Sequence, residues 1–329
     1  MVVLFCRGYE LINKVDSLYK NQFDKQKIIN QLRDLSSKRG YKCGKQNKYL
    51  LMIINKYDII QRLKPSEFDI WKDKFDSIIP SSKITTKFYN TIVDKMGYSG
   101  FRQGEYLRFA QELQIKSCAY CNAQLTTIAD VEFYKRSNKK KGQLKGDVRT
   151  RYATLELDHF IAKSEYPFLA TSFFNLIPSC AYCNKSKSAN SVGFHLYSED
   201  ENLDFFEFFL KPESIQKYWS SKKNSDLEVE LKSGKNGNDL LTQDLVKRFH
   251  INGIYNTQKD IIEDLLHKRE AYRNAYKKGL TTLANRSIFP DEAMIDRLLI
   301  GTYTKKEEIH KRPLTKFTQD IARQLKLIP

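Results

Sequence analysis

The hydrophobic period changes twice along the chain. Up to about residue 115, apolar positions recur at i, i+3 and i+4. YELINKVDSLYKNQF, KIINQLRDL, FDIWKDKFDSII, TTKFYNTIVDKM and GEYLRFAQELQI each present one apolar helical face. Pro65-Ser66-Glu67 and Pro80-Ser81-Ser82 interrupt the series with breaking and capping residues. The period then shortens: LTTIADVEFY has strand composition, and TLELDHF alternates like a strand. Between them, YKRSNKKKGQLKGDVRTR reads as a flexible basic loop, either a phosphate grip or a solvated insertion. Beyond about residue 200, helical spacing returns in LDFFEFFL, LLTQDLVKRF, TQKDIIEDLLHKREAYRNAYKK, DEAMIDRLLIG and TKFTQDIARQLKLI. The aromatic run Phe205–Phe209 reads as helix core, and LEVELK as a strand before a Gly/Asn/Ser-rich turn. These patterns predict an α+β protein with a helical region 1–115, a mixed region 116–200 and a mostly helical region 201–329.

Charge narrows the class of partner. The 329 residues carry a formal charge of +17 and a sequence pI near 9.4. An excess of this size suits a polyanion, most often nucleic acid, although a lysine-rich proteome gives the same sign. No stretch approaches the roughly 20 apolar residues that span a bilayer. The opening MVVLFCRGYE has too short an apolar run for a secretory signal and lacks a basic lead. The expectation is a cytoplasmic protein without a membrane partner. In a reducing cytosol, paired cysteines point to metal or catalysis rather than to disulfides. Of the six cysteines, Cys6 and Cys43 stand alone, whereas Cys118, Cys121, Cys180 and Cys183 form two CxxC pairs.

Both pairs lie in the same word, SCAYCN, at Ser117–Asn122 and Ser179–Asn184. Each CxxC turn points two thiolates at one ion, and four thiolates complete the tetrahedron of a structural zinc with no open coordination position. The separation (residues 122–179) exceeds that of a simple zinc ribbon, but a folded unit between the turns accommodates it, since loop-closure cost grows slowly with length. A redox dithiol is the rival reading of one CxxC; two matched pairs argue against it. Inside the span, a strand ends on Asp158-His159. A loop with Pro167 follows, then a short apolar segment, NLIP, opened by Asn175, then a helix entered at Asn184.

The residue types in this strand–loop–strand–helix order suit phosphodiester hydrolysis. A histidine that is neutral near pH 7 can activate water. A hard divalent ion on a few oxygen ligands, such as an Asp carboxylate and an Asn amide, can stabilise the leaving oxygen. The DH dipeptide, the run NLIPSCAYCN and the lysine three residues later resemble the HNH (ββα-metal) endonucleases of the subgroup stapled by a four-cysteine zinc. The wider wording CAYCN…LDHFIAKSEYPFLA…NLIPSCAYCNKSK is similar to the HNH subunits of Septu-type and retron-associated anti-phage systems. The resemblance covers about residues 117–190. It implies a zinc-stapled ββα core flanked by helical regions, with His159 as general base and Asp158 and Asn184 as ligands of a catalytic ion, Mg²⁺ or another divalent. It further implies Asn175 as the middle Asn of the motif, bracing the loop by hydrogen bonding. Cys118, Cys121, Cys180 and Cys183 become the Zn²⁺ ligands, and Lys163 and Lys187 face phosphates. The implied function is a defence nuclease acting on DNA in preference to RNA, alongside an ATPase subunit encoded elsewhere. RNA or tRNA as substrate, or a non-catalytic zinc module that binds nucleic acid or assembles a complex, are the alternatives. In the two copies of SCAYCN, Asn122 is expected only to relax a turn in the left-handed region, and Asn184 to reach the ion.

Overall fold

The computed structural model describes residues 4–5, 15, 25–138, 143–190, 192–193, 197–198, 205–272 and 291–329. They form helices and small antiparallel two-stranded sheets. The helix expected over YELINKVDSLYKNQF, the end of the one expected after Tyr272, and Lys139–Gly142 of the basic loop lie essentially outside the described residues. Among the described residues, no helix is long and apolar enough to cross a membrane. The chain folds as two units: Phe5–Ile115 with Thr126–Glu199, and Met1–Leu4 with Lys116–Leu125 and Asp200–Pro329.

From Lys25 onward the described residues of the first unit form the helices α1 (Lys25–Ser37), α2 (Gly44–Gln61), α3 (Phe68–Asp76), α4 (Thr86–Lys95), α5 (Tyr98–Gln103) and α6 (Glu105–Glu112). Short 3₁₀ turns at Pro65–Glu67 and Ser81–Lys83 separate α2, α3 and α4. Proline starts such turns readily, because its fixed φ suits them and its missing N–H has no partner to lose. Helix α2 buries Tyr49, Leu50, Ile53, Ile54, Tyr57 and Ile60, while Leu51 and Ile59 stay exposed among Lys45, Lys48, Asn55 and Lys56. The apolar residues on its outer face blur the amphipathic period that marks the other helices. Gly97 sits at φ 69°, in the left-handed region, and turns the chain from α4 into α5. A Cβ there would come within 2.9 Å of Ile28 Cδ1.

Two strand pairings and one helix follow in this unit. Strand β1 (Ile128–Phe133) pairs antiparallel with β2 (Val148–Ala153). The segment VRTR, expected as loop, is therefore strand; its cross-strand partners in β1 supply the ladder that a lone basic segment does not advertise. Strand β3 (Glu156–His159) pairs with β4 (Leu176–Ser179), with Asp158 opposite Ile177 and His159 opposite Leu176, and helix α7 (Ala181–Lys187) follows. The helices form the bed for the loop joining β3 to β4. Phe168 stacks on Phe75 at 3.8 Å, and Phe173 packs edge-on against Phe101 and Phe109. Tyr166 Oη donates to Asp76 at 2.9 Å, and Gln61 Nε2 to Thr171 at 2.8 Å.

The second unit contains β5 (Phe206–Leu210), α8 (Pro212–Ser221), β6 (Val229–Ser233), α9 (Asp239–Phe249), α10 (Ile251–Asn256), α11 (Lys259–Ala271), α12 (Glu292–Ile300) and α13 (Thr315–Gln324). The FFEFF run is strand, not helix: β5 pairs antiparallel with β6, burying Phe206, Phe208 and Leu210 and turning Glu207 and Phe209 outward. A short aromatic run satisfies both periods, and here the β6 partner selects the period of two. Phe208 packs between Tyr255 and Phe317, at 4.2 and 5.2 Å. Helix α13 completes the open edge of β5: Asp320 accepts from Phe208 N–H at 2.9 Å, and the Gln324 amide bonds both backbone groups of Leu210.

Candidate functional site

Cys118, Cys121 and Cys183 are fully buried and Cys180 nearly so, and their four ligand atoms lie within 4.8 Å of one another. A tetrahedral zinc with Zn–S of about 2.3 Å needs sulfurs about 3.8 Å apart, so a contraction of about 1 Å closes the cage. The donor set fits one ion and is consistent with a structural zinc.

The backbone builds the first turn around Asn122, whose φ of 54° lies in the left-handed region. Asn122 N–H donates to Cys118 carbonyl at 2.8 Å, and Ala123 N–H to Cys121 Sγ at 3.4 Å. Asn122 is more than a relaxed turn residue. Its Nδ2 donates to Ser117 Oγ at 2.8 Å and lies 3.2 and 3.3 Å from the carbonyls of Ile309 and Arg312, while its Oδ1 accepts from Lys316 N–H at 3.0 Å. In the second copy, Cys180 precedes α7 in extended backbone, and Asn184 N–H closes onto its carbonyl at 3.0 Å. The tyrosines differ too. Tyr120 is buried and stacks on Phe249 at 4.9 Å, whereas Tyr182 is exposed.

Strand β3 presents chemistry on both faces, as its alternation requires. Glu156 and Asp158 face α7: Asn184 Nδ2 donates to Glu156 at 2.7 Å, and Lys187 Nζ lies 3.1 Å from Asp158 Oδ2 and donates to the His159 carbonyl at 2.8 Å. Lys187 has no exposed surface, so its ammonium is committed to Asp158 rather than presented to a phosphate. A buried charge demands such a partner. His159 points the other way, its ring against Tyr98 of α5 at 5.0 Å and its Nε2 3.1 Å from the Ala170 carbonyl. A carbonyl only accepts, so Nε2 carries the proton and Nδ1 the lone pair. Burial, followed by the nearby Lys163 charge, lowers the imidazole pKa to about 3, so the ring is neutral at physiological pH. Lys163 itself is half-buried over the Tyr98 ring at 4.5 Å, its pKa lowered by burial and by Arg102.

Asn175 is fully buried and fully occupied as a brace. Its Oδ1 accepts from Ile161 N–H at 2.8 Å, and its Nδ2 lies 3.1 Å from both the Ile161 and Leu169 carbonyls. It holds the loop after His159 and offers no group for a reaction. Glu156, Tyr98 and Arg102 were not singled out from the sequence. Glu156 stood two residues from Asp158 on the same strand face, a readable signal. Tyr98 and Arg102 come from a helix with no chemical motif.

For a catalytic divalent ion, the donors near α7 are hard oxygens: the Asp158 carboxylate, the Asn184 amide and the neighbouring Glu156 carboxylate. This set suits Mg²⁺ in kind. Asp158 would divide its charge between the ion and Lys187, which favours weak binding. Comparison of the chain with protein-family models, curated proteins and solved structures returns no match.

Proposed function

We propose that the chain is a metal-dependent endonuclease of the HNH type that hydrolyses nucleic-acid phosphodiesters, DNA in preference to RNA. The observation that carries this reading is His159. It is a buried imidazole kept neutral, with its tautomer set by the Ala170 carbonyl, on the strand that also bears Asp158. Its Nδ1 takes a proton from the attacking water as the oxygen approaches phosphorus; the P–O bond to the 3′ oxygen breaks, and that oxygen takes a proton from solvent, leaving 5′-phosphate and 3′-hydroxyl ends. Asp158 and Asn184 would hold a divalent ion, which would supply positive charge to stabilise the leaving oxygen. Lys163 contacts phosphate, Asn175 and Tyr98 hold His159 in place, and a Cys118, Cys121, Cys180, Cys183 zinc is structural. The resemblance extends the reading to an anti-phage effector working beside an ATPase subunit.

A second reading, a non-catalytic zinc module that binds nucleic acid, is favoured by the burial of Lys187 and its pairing with Asp158. The test incubates purified protein and its His159→Ala variant with plasmid DNA and with total RNA, with and without Mg²⁺. Mg²⁺-dependent cutting by wild type alone is expected. Equal cutting by both forms removes His159 from the chemistry, and no cutting by either favours the second reading.

A further inference from the structure

The β1–β2 ribbon continues directly into the strand bearing Asp158 and His159. It is ordered out to the Asn138–Gln143 bridge, with Tyr134 and Gly146 exchanging backbone bonds with their neighbours across it. Two features set it apart. Large apolar side chains stand in solvent: Phe133 is 51% exposed, and Tyr152 64%. Tyr152 follows Arg151, which faces inward to Gln111 and Asp130, so Tyr152 points to the opposite, outer face.

The second feature is charge. The ribbon's acids are each tied into it, one by a close ion pair and two by hydrogen bonds from neutral groups that leave their charge in place. Asp130 pairs with Arg151 at 3.0 Å, Asp147 accepts from Leu144 N–H at 2.7 Å, and Glu132 accepts from Thr150 at 2.9 Å. Its cations are not. Lys135, Arg136 and Lys145 are exposed and have no acidic partner among the described residues, and Arg149 makes only a long, solvent-exposed contact with Glu132 at 3.8 Å. Such an exposed pair contributes little. The ribbon thus combines two exposed aromatic rings with unspent positive charge, in a chain whose net charge is +17.

We propose that this ribbon is a docking surface for single-stranded nucleic acid. Phe133 and Tyr152 stack on unpaired bases, and Lys135, Arg136, Lys145 and Arg149 follow the phosphates. Aromatic rings offer a face that any base can use, and cations alone would serve duplex equally, so the pairing of the two selects a strand with accessible bases. The proposal shares a nucleic-acid partner with the nuclease reading but holds whether or not the chain cuts.

The test measures fluorescence anisotropy of a labelled oligothymidine and a labelled duplex of equal length against full-length protein. No divalent ion is added, and the measurement is repeated in His159→Ala, so binding is separated from cleavage. Lys135→Glu/Arg136→Glu/Lys145→Glu should weaken both ligands and flatten the salt dependence, by about 0.7 in slope per lost phosphate contact on single strand. Phe133→Ala/Tyr152→Ala should weaken oligothymidine by about tenfold or more and leave duplex nearly unchanged. All five side chains are exposed, and circular dichroism verifies that each variant folds. Equal loss for both ligands in the aromatic variant overturns the stacking assignment. Unchanged affinity in both variants overturns the proposal and leaves the apolar face to a protein partner.

Discussion

Asn122 and Asn184 close the same six-residue word and are used differently. Asn122 takes the left-handed conformation and spends its amide on Ser117 and on the segment Ile309–Lys316; Asn184 sits in α7 and bonds Glu156. Asn122→Ala should therefore cost more than a turn adjustment. Three hydrogen bonds, two from the amide N–H groups and one to its oxygen, at about 1 kcal/mol each give a loss of about 3 kcal/mol, while the cost of a Cβ in left-handed backbone is common to Asn and Ala. Asn122→Gly, which also relieves that backbone cost, should lose less. Urea unfolding of the two variants measures the split, and equal losses would show that the backbone is unstrained. His159 allows a second measurement. Its folded pKa lies below its unfolded one, so the unfolded chain binds a proton first, and the stability of the neutral native ring is full above about pH 6.5 and lost as pH falls toward 3. Between about pH 8 and pH 5, wild type should lose stability more steeply than His159→Asn, with a slope difference approaching 1.4 kcal/mol per pH unit. Parallel curves would place the imidazole in water.

At the scale of elements, β5 shows how an edge strand is completed by side chains. Asp320 of α13 takes the Phe208 N–H and also Lys316 at 2.6 Å, and it is almost fully buried. Asp320→Ala leaves a buried donor and an ammonium without their acceptor and should cost about 1–3 kcal/mol; Asp320→Asn, which still accepts, should cost less. Hydrogen exchange at the Phe208 amide reports the same change locally: an amide equally protected in Asp320→Ala would mean the strand edge does not depend on α13. The sequence leaves this element open, because FFEFF carries apolar residues at both helical and strand spacings, and only pairing with Val229–Ser233 selects one. Helix α2 is blurred for a related reason, since Leu51 and Ile59 interrupt the polar face formed by Lys45, Lys48, Asn55 and Lys56. By contrast, the Thr86–Lys95, Asp239–Phe249 and Thr315–Gln324 helices have a polar face and a buried face, and their patterns are legible.

At the scale of the molecule, four cysteines from two distant words hold one ion's worth of ligands. About one equivalent of zinc should co-purify, measured by native or elemental mass spectrometry. Cys180→Ala should lose it together with a large part of the folding free energy, since structural zinc contributes on the order of 10 kcal/mol. Metal-free protein with unchanged thermal stability would refute the site. By itself the sequence determined what residue type and near spacing encode: the cysteine pairs and their thiolate chemistry, most amphipathic helices, the breaks at Pro65 and Pro80, and the excess of positive charge. Only tertiary structure decided which partners those residues keep. It pairs Lys187 with Asp158 rather than leaving it to solvent, sets His159 against Tyr98 and the Ala170 carbonyl, and ties Asn122 to Arg312, 190 positions away. The physical reason is that burial penalises a polar group left without a partner, and the partner available is fixed by packing between segments far apart in the chain.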